Sequence, residues 1–383
     1  MKIEIVAVEV IPLEVGGLRP FRISEGGTST HYSAVLRLLT ATPGLEGNAE
    51  IVSAPPGKPE EFIEEIVGGA QRYVVPALIG QDALDRRSAM AAVERVLKGR
   101  IWTKAAVNNA LIDLQGKALG VTAATLLGGR GASKIPVIGP VVGIAAPGEM
   151  AEIAAVQGAA GFKSVKIKLG ETVEADIARV AACREALPAH VRLRVDANDH
   201  YRPADAIRLI RAIERYDIEH VEQPVPRADI LGMAEVRART GLPLMTDDMV
   251  ATPADAINVI RLNAADRMKV KVTKHGLDGA ALIIGILQSA GLTPVLGHVF
   301  EMGLAAIAEA QIGAAFDGVL AGPHEIGSLR PIGAAVDIVE GDLRTEPGFM
   351  TVPDGPGLGA SLDWAAIESL RMDKRSGSTR PAG

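Results

Sequence analysis

Between residues 164 and 299 the chain repeats one event six times: a short apolar run ends on a polar residue, and an alanine-rich stretch follows. The residues are Lys168, Asp196, Glu222, Asp247, Lys271 and His298, at successive intervals of 28, 26, 25, 24 and 27. Such an interval holds one strand, one helix and two loops. With a run before the series and one after it, the strands read IPVIGPVV, SVKIKLG, RLRVDAN, EHVEQP, PLMTDD, RMKVKV, TPVLGHV and GVLAGP. Strands alternating with helices make a parallel sheet, and about eight units close into a (β/α) barrel. A doubly wound open sheet is the competing arrangement, and the lack of a G-x-G-x-x-G turn after an early strand weighs against it.

The residues before this series follow a different pattern. IEIVAVEVIPL and SAVLRLLTA read as strands, separated by a loop from Gly16 to Tyr32, and GNAEIVSAPPGKPEE reads as a second loop. In KAAVNNALIDLQGKALG, the apolar positions Val107, Ala110, Leu111, Leu114 and Ala118 keep helical spacing, with Gly120 as the stop. LLGGRGASK, residues 126–134, marks a boundary. From about Ile326 come the turn-rich VPDGPGLG, the short amphipathic helix DWAAIESLR and an ending, MDKRSGSTRPAG, that reads as a disordered tail.

Composition narrows the function classes. Of 383 residues 48% are hydrophobic and 22% charged, as in a soluble enzyme, while aromatics at 3% leave a core of small aliphatic side chains. Lysine and arginine number 40 against 46 acidic residues, with no basic block, which argues against a nucleic-acid partner. The single cysteine, Cys183, excludes an intrachain disulfide framework and a cysteine-rich metal site, and it points to a reducing compartment. No signal peptide is recognisable, and the best apolar run, Ala280 to Leu287, stops at Gln288. A cytoplasmic protein without a membrane partner is expected.

In a barrel, functional groups gather where the strands end. Asp196, Glu222 and Asp247 come from successive strands, and three carboxylates facing one another repel unless a cation lies between them. An all-oxygen site with room for water and substrate suits Mg²⁺, with Mn²⁺ as an admissible substitute. Taken singly, an acid near a strand end more often caps the next helix or forms a surface ion pair, and the regular spacing is what sets these three apart. Lys166 and Lys168 leave their strand on one face, and Lys269 and Lys271 repeat the arrangement four strands later, across the barrel. Two lysines flanking a metal-held substrate could remove and return a proton, a neighbouring ammonium and a dication lowering the pKa; solvated edge positions or ion pairs at the barrel bottom are the alternative. Asn198 faces the same way as Asp196, whereas Asp248 is expected on the opposite face from Asp247. A histidine such as His298 is more often structural than catalytic.

KIKLG, RVDAN, VEQP, LPLMTDD and KVTKHG, in this order and spacing, resemble the enolase superfamily, muconate-lactonizing-enzyme subgroup. The resemblance covers nearly the whole chain, including KAAVNNALIDLQGKALG, LLGG and VPDGPGLG. It implies a (β/α)7β-type TIM barrel at 131–325, an N-terminal α+β capping domain at 1–130, and a C-terminal segment at 326–383 that packs back on the cap. It also implies Mg²⁺ ligands at Asp196, Glu222 and Asp247, acid and base at Lys168 and Lys271, and Lys166 tuning Lys168. The chemistry implied is removal of the proton α to a carboxylate, giving a metal-stabilised enolate.

Departures bear on the substrate. Dipeptide epimerases carry an Asp-x-Asp at the eighth strand, and the matching residues here are Val319 and Ala321. LGHVFEMGL resembles mandelate racemase at His298 and muconate-type cycloisomerases at Glu301, yet the sixth strand has Lys271 where a histidine base would need an aspartate. The usual Gly-Gly after that strand is His275-Gly276-Leu277. The two cap loops that choose substrate would be Gly16 to Tyr32, with Arg22, and Asn48 to Lys58; Arg22, Asn198, His298 and Glu301 are the candidate substrate-binding residues. The expected function is an isomerase of a small carboxylate, either a muconate-type cycloisomerase or a racemase or epimerase of N-substituted amino acids or hydroxy acids. A lyase that dehydrates a hydroxylated acid is the alternative, a non-catalytic binding barrel a more distant one, and a homo-oligomer the expected assembly.

Overall fold

The computed structural model describes residues 2–18, 21–24, 26–54, 60–319, 322–327, 333–341, 343 and 346–374. The chain opens with β1 (Ile5–Val15), a small hairpin of β2 (Phe21–Ile23) and β3 (Gly26–Thr28), then β4 (His31–Thr40) and β5 (Glu46–Val52). β4 lies between β1 and β5 in an antiparallel sheet. Helices α1 (Ile63–Gly69), α2 (Val75–Leu78), α3 (Arg86–Val96) and α4 (Ile101–Leu119) follow, and Ile5, Leu36, Ile51, Val93 and Leu111 are among the side chains that close this core. Gly120 ends α4 at φ 69°, the left-handed stop expected of it.

α5 (Ala123–Leu126) and β6 (Lys134–Pro136) lead into the barrel. There α6 (Pro147–Ala159), β7 (Ser164–Lys168), α7 (Val173–Ala186), β8 (Arg192–Asp196), α8 (Pro203–Ile213) and β9 (Ile218–Glu222) alternate. α9 (Ile230–Arg239), β10 (Leu244–Thr246), α10 (Pro253–Arg261), β11 (Arg267–Val270), α11 (Val272–Ser289), β12 (Thr293–Leu296) and α12 (Gly303–Ala315) complete the series. β7 to β12 form one parallel sheet in sequence order. Two short stretches close the ring: Val142 bridges Ile167, Glu325 bridges Gly297, and His324 bridges Val137, all parallel. Six regular strands and two short ones therefore make the closed (β/α)7β barrel. β13 (Phe349–Thr351) then pairs with β6, and α13 (Trp364–Leu370) packs near β1. Among the described residues no helix is long and apolar enough to cross a membrane.

Three expectations change. The eighth strand lies at His324–Glu325 rather than in GVLAGP, whose first two residues belong to a 3₁₀ turn, Asp317–Val319; Ala321 falls outside the described residues. Asn48 to Val52 is strand β5, not loop, because its buried polar groups find partners: the Asn48 amide donates to Asp113, and Glu50 accepts from Met302 and Ala305. Inside the loop Gly16–Tyr32, β2 and β3 form a hairpin.

The cap and barrel meet through α4 and α11. α11 breaks at Gly276, whose φ is 67°, and a Cβ there would lie 2.8 Å from Asn108 Oδ1. Asn109 Oδ1 accepts from the Leu277 amide and Asn108 Oδ1 from that of Asp278, so two cap asparagines satisfy backbone freed by the break. His275, standing where a second glycine is usual, bonds the Lys271 amide at 3.2 Å and the Val250 carbonyl at 3.1 Å.

A second seam is acidic. Glu50, Glu301 and Glu309 are fully buried between β5, the loop after β12 and α12. Burial pushes Glu50 up to about 8, helped by Glu301 and Asp337; it pushes Glu301 up to about 7 and Glu309 well above the carboxylate range. A carboxyl with a raised folded-state pKa contributes stability that is complete below its unfolded value and lost as pH rises through the folded one. Thermal midpoints should therefore fall between pH 5.5 and pH 8.5, and the fall should be smaller in Glu50→Gln. An undiminished pH dependence in that variant would count against the assignment.

Candidate active site

The strand ends converge on a cavity of about 90 Å³, lined by Lys166, Lys168, Asp196, Asn198, Glu222, Asp247, Lys271 and His298 of the expected set. Adjacent registers put Asp196 beside Glu222, while Asp247 follows β10 directly. β7 and β11 stand four strands apart in a ring of eight, so Lys168 and Lys271 face each other across the cavity.

These charges are buried, Lys168 only in part, and they are interlocked. Lys168 Nζ donates to Asp196 Oδ2 at 2.7 Å, and Lys166 Nζ reaches Asp196 Oδ2 at 2.9 Å and Glu222 Oε2 at 2.7 Å. Across the cavity Lys271 Nζ donates to Asp247 Oδ2 at 2.7 Å. Burial, with the charge of Lys166, lowers the pKa of Lys168 despite Asp196. Burial also opposes the charge of Lys271, but Asp247 and Asp248 more than offset it and hold its pKa well above the ordinary lysine value. Burial and then Asp196 push Glu222 up to about 8 against the pull of Lys166 and Lys269. Asp196 and Asp247, although buried, stay below the usual carboxylate range because lysines surround them.

The remaining expected residues separate. Asn198 lines the cavity with φ 41°, its amide bonded to Asp196 Oδ1 and its own Oδ1 buried without a partner. His298 also lines it, its pKa lowered to about 3 by burial and by Lys166, which keeps the ring neutral. Glu301 is not on the cavity wall: its Oε2 accepts from the amides of Val299 and Phe300, shaping the loop that is. Arg22 pairs with Glu171 at 2.7 Å instead, and its strand neighbours Phe21 and Ile23 line the cavity in its place. Strand alternation explains this, since Arg22 takes the other face of β2.

Other residues on the wall went unforeseen. Asp248 lines the cavity rather than facing away, because β10 ends at Thr246 and the two-residue alternation ends with it; Arg227 holds Asp248 at 3.0 Å. Glu325 reaches Lys166 at 2.5 Å and also pairs with Lys269, a position hidden by placing the eighth strand too early. Phe21, Trp102, Val299 and Phe300 roof the cavity, with the rings of Phe21 and Phe300 edge to face at 5.4 Å.

The donor set fits a hard dication. Asp196, Glu222 and Asp247 bring oxygen from three adjacent strands, and Asp247 Oδ1 is buried with no hydrogen bond, although Lys271 Nζ stands 2.6 Å away off the bonding direction. A second acidic group shares Glu222: ligand atoms of His220, Glu222 and Glu325 lie within 4.8 Å of one another. His220 of that group is fully buried and off the cavity wall, whereas Asp196, Glu222 and Asp247 all line the cavity, so the mouth of the barrel is the better cation site.

The chain is similar to known proteins over nearly its whole length. Residues 5–128 match the mandelate racemase/muconate lactonizing enzyme N-terminal domain, and residues 149–366 match the enolase C-terminal domain-like family. The chain belongs to the enolase superfamily, in its muconate-lactonizing-enzyme subgroup. It is 30% identical to muconate cycloisomerase 1-2 of Acinetobacter lwoffii over 98% of both chains. It is 29% identical to the N-succinyl-L-Arg/Lys racemase of Bacillus cereus over 96% of this chain and 98% of the racemase. A dipeptide epimerase from Cytophaga hutchinsonii, crystallised with Mg and D-Ala-L-Val, superimposes with a TM-score of 0.89 at 27% identity, covering 97% of this chain and 99% of the other.

Within this superfamily fold the site depends on one bare position. Gly297 follows β12, and a Cβ there would lie 2.5 Å from Cδ and 2.8 Å from Cε of Lys269. Gly297→Ala should displace the buried lysine and destabilise the protein by about 1–3 kcal/mol, the usual cost of overpacking. Urea denaturation measures this, and an unchanged midpoint would show that the stem of Lys269 can move aside freely.

Proposed function

We propose that this protein is an isomerase that removes the proton α to a carboxylate and returns it, with Lys168 and Lys271 as the two proton-transfer groups. The observation that carries this reading is their position on opposite sides of one cavity, with Asp196, Glu222 and Asp247 between them. A divalent cation on those three carboxylates, Mg²⁺ or Mn²⁺, would stabilise the negative charge that develops on the substrate carboxylate as the proton leaves. Lys166 and Lys168 share Asp196 Oδ2, and this holds both ammoniums on one side of the substrate. Lys271 is held from the other side by Asp247, with its backbone fixed by His275. A lysine on each face suits proton exchange at one carbon, hence racemisation or epimerisation, in preference to cycloisomerisation.

The roof limits the substrate. Its side chains Phe21, Trp102, Val299 and Phe300 are apolar, while Glu60, also on the wall, is paired with Arg227. Trp102 Nε1 and Asn198 Oδ1 are buried without partners, one a donor and the other an acceptor, as a neutral amide would require. These features support an N-acylated amino acid over a free dipeptide. In this reading residues 1–130 cap the barrel of 131–325, residues 326–383 return to the cap, and the protein works as a cytoplasmic homo-oligomer.

Proton NMR in D₂O with Mg²⁺ and both enantiomers of N-acylated amino acids tests the mechanism. Wild type should exchange the α-proton of both. Lys168→Ala and Lys271→Ala should each lose interconversion by about 10²–10⁴-fold, the range for a general acid or base, while each still exchanges the proton of one enantiomer. Full interconversion in both variants would overturn the reading.

A further inference from the structure

We propose that Glu325, with Lys269, is a positioning residue that keeps Glu222 available to a divalent cation, an inference that rests on reading Asp196, Glu222 and Asp247 as the cation ligands. Both oxygens of Glu222 are engaged from below. Lys166 Nζ donates to Oε2 at 2.7 Å and Lys269 Nζ to Oε1 at 2.5 Å. A carboxylate shared by two ammoniums is a poor cation ligand, because its charge is already offset and a dication would approach two positive groups. Glu325 changes that balance: Lys166 donates to its Oε2 at 2.5 Å, and Lys269 donates to the same oxygen. One carboxylate therefore takes part of the charge of both lysines on the side away from the barrel mouth.

Glu325 is itself held in place. Its amide donates to the Leu296 carbonyl at 2.9 Å, which fixes it as the closing strand of the barrel. Beyond its other oxygen lie Arg194 Nη1 at 3.5 Å and His220 Nε2 at 4.0 Å. Arg194 in turn is anchored by Glu219 at 2.8 Å and by the Pro323 carbonyl at 2.9 Å, immediately before the strand. Lys269 has little alternative, since it is 1% exposed and lies against the bare Cα of Gly297. With a neutral group at 325 both ammoniums would fall back on Glu222 and Asp196 and compete with the cation. With a neutral group at 269 one competitor would be gone and Glu222 Oε1 released.

The two positions therefore predict shifts of opposite sign, which a merely structural role for either would not produce. Binding of Mn²⁺ alone to the purified full chain, measured by titration calorimetry, tests this. Wild type should bind one Mn²⁺ per chain. Glu325→Gln should raise Kd by about tenfold or more and Lys269→Met should lower it, as expected for a unit charge within a few ångströms of a dication. The double variant should return toward the wild-type Kd. Shifts of the same sign in the two single variants, or an unchanged Kd in Glu325→Gln, would overturn the proposal. So would two Mn²⁺ per chain falling to one in Glu325→Gln, which would make Glu325 a ligand. Should Glu325→Gln not fold, Lys269→Met decides alone: tighter binding supports the proposal, while unchanged or weaker binding overturns it. Asp247→Asn is the control for the underlying reading. Undiminished binding there would overturn that reading and the proposal with it, whereas lost binding there with no response at 325 and 269 would overturn the proposal only.

Discussion

Everything at the mouth of this barrel depends on burying lysines and carboxylates at similar density within one small volume. Removing a charge from water costs several kcal/mol, and the cost is recovered only where partners are close and well directed. Here they are: Asp196, Glu222 and Asp247 each touch at least one lysine ammonium, and Lys166 touches three carboxylates. Such a lattice tolerates little displacement, which explains why it sits on the strands and on the residues directly after them. Parallel strands in register place Lys168 beside Asp196 and Asp196 beside Glu222 with main-chain precision.

The same lattice explains what could be read in advance. Residues that end strands declare themselves by interval, so Lys168, Asp196, Glu222 and Lys271 were legible as one ring before any fold was known. Residues whose role depends on where a strand stops were not. Asp248 was misplaced by carrying two-residue alternation one position beyond Thr246, and Glu325 was missed because a Pro-Gly-rich stretch hid the last strand. Glu50 and Asn48 looked like loop residues because polar side chains usually are. Their partners, Met302 and Asp113, lie far away in sequence, and no local pattern reveals such pairs.

Arg22 shows the same limit from the other direction. Its loop contributes Phe21 and Ile23 to the cavity wall, but the side chain that enters is chosen by a three-residue strand whose alternation cannot be inferred from a Gly- and Ser-rich segment. Phe21 goes in, Arg22 pairs with Glu171, and the roof becomes apolar rather than cationic. One residue of register thus turns an expected cationic roof into an apolar one.

The cap is more than a roof. α4 supplies Asn108 and Asn109 to the break at Gly276, five residues after Lys271, and the Asn109 amide also donates to the carbonyl of Val272 at 3.1 Å. The first turn of α11 is thus fixed from the cap, while Lys271 at its start is fixed by Asp247 and His275 from the barrel. A glycine at 276 is required because its φ of 67° turns the amides of Leu277 and Asp278 toward those asparagines and because no Cβ fits beside Asn108. The lysine on one side of the cavity is therefore positioned by both halves of the molecule at once. Its partner Lys168 is held by Asp196 on the neighbouring strand, so a change confined to α4 would disturb one face of the proton exchange more than the other.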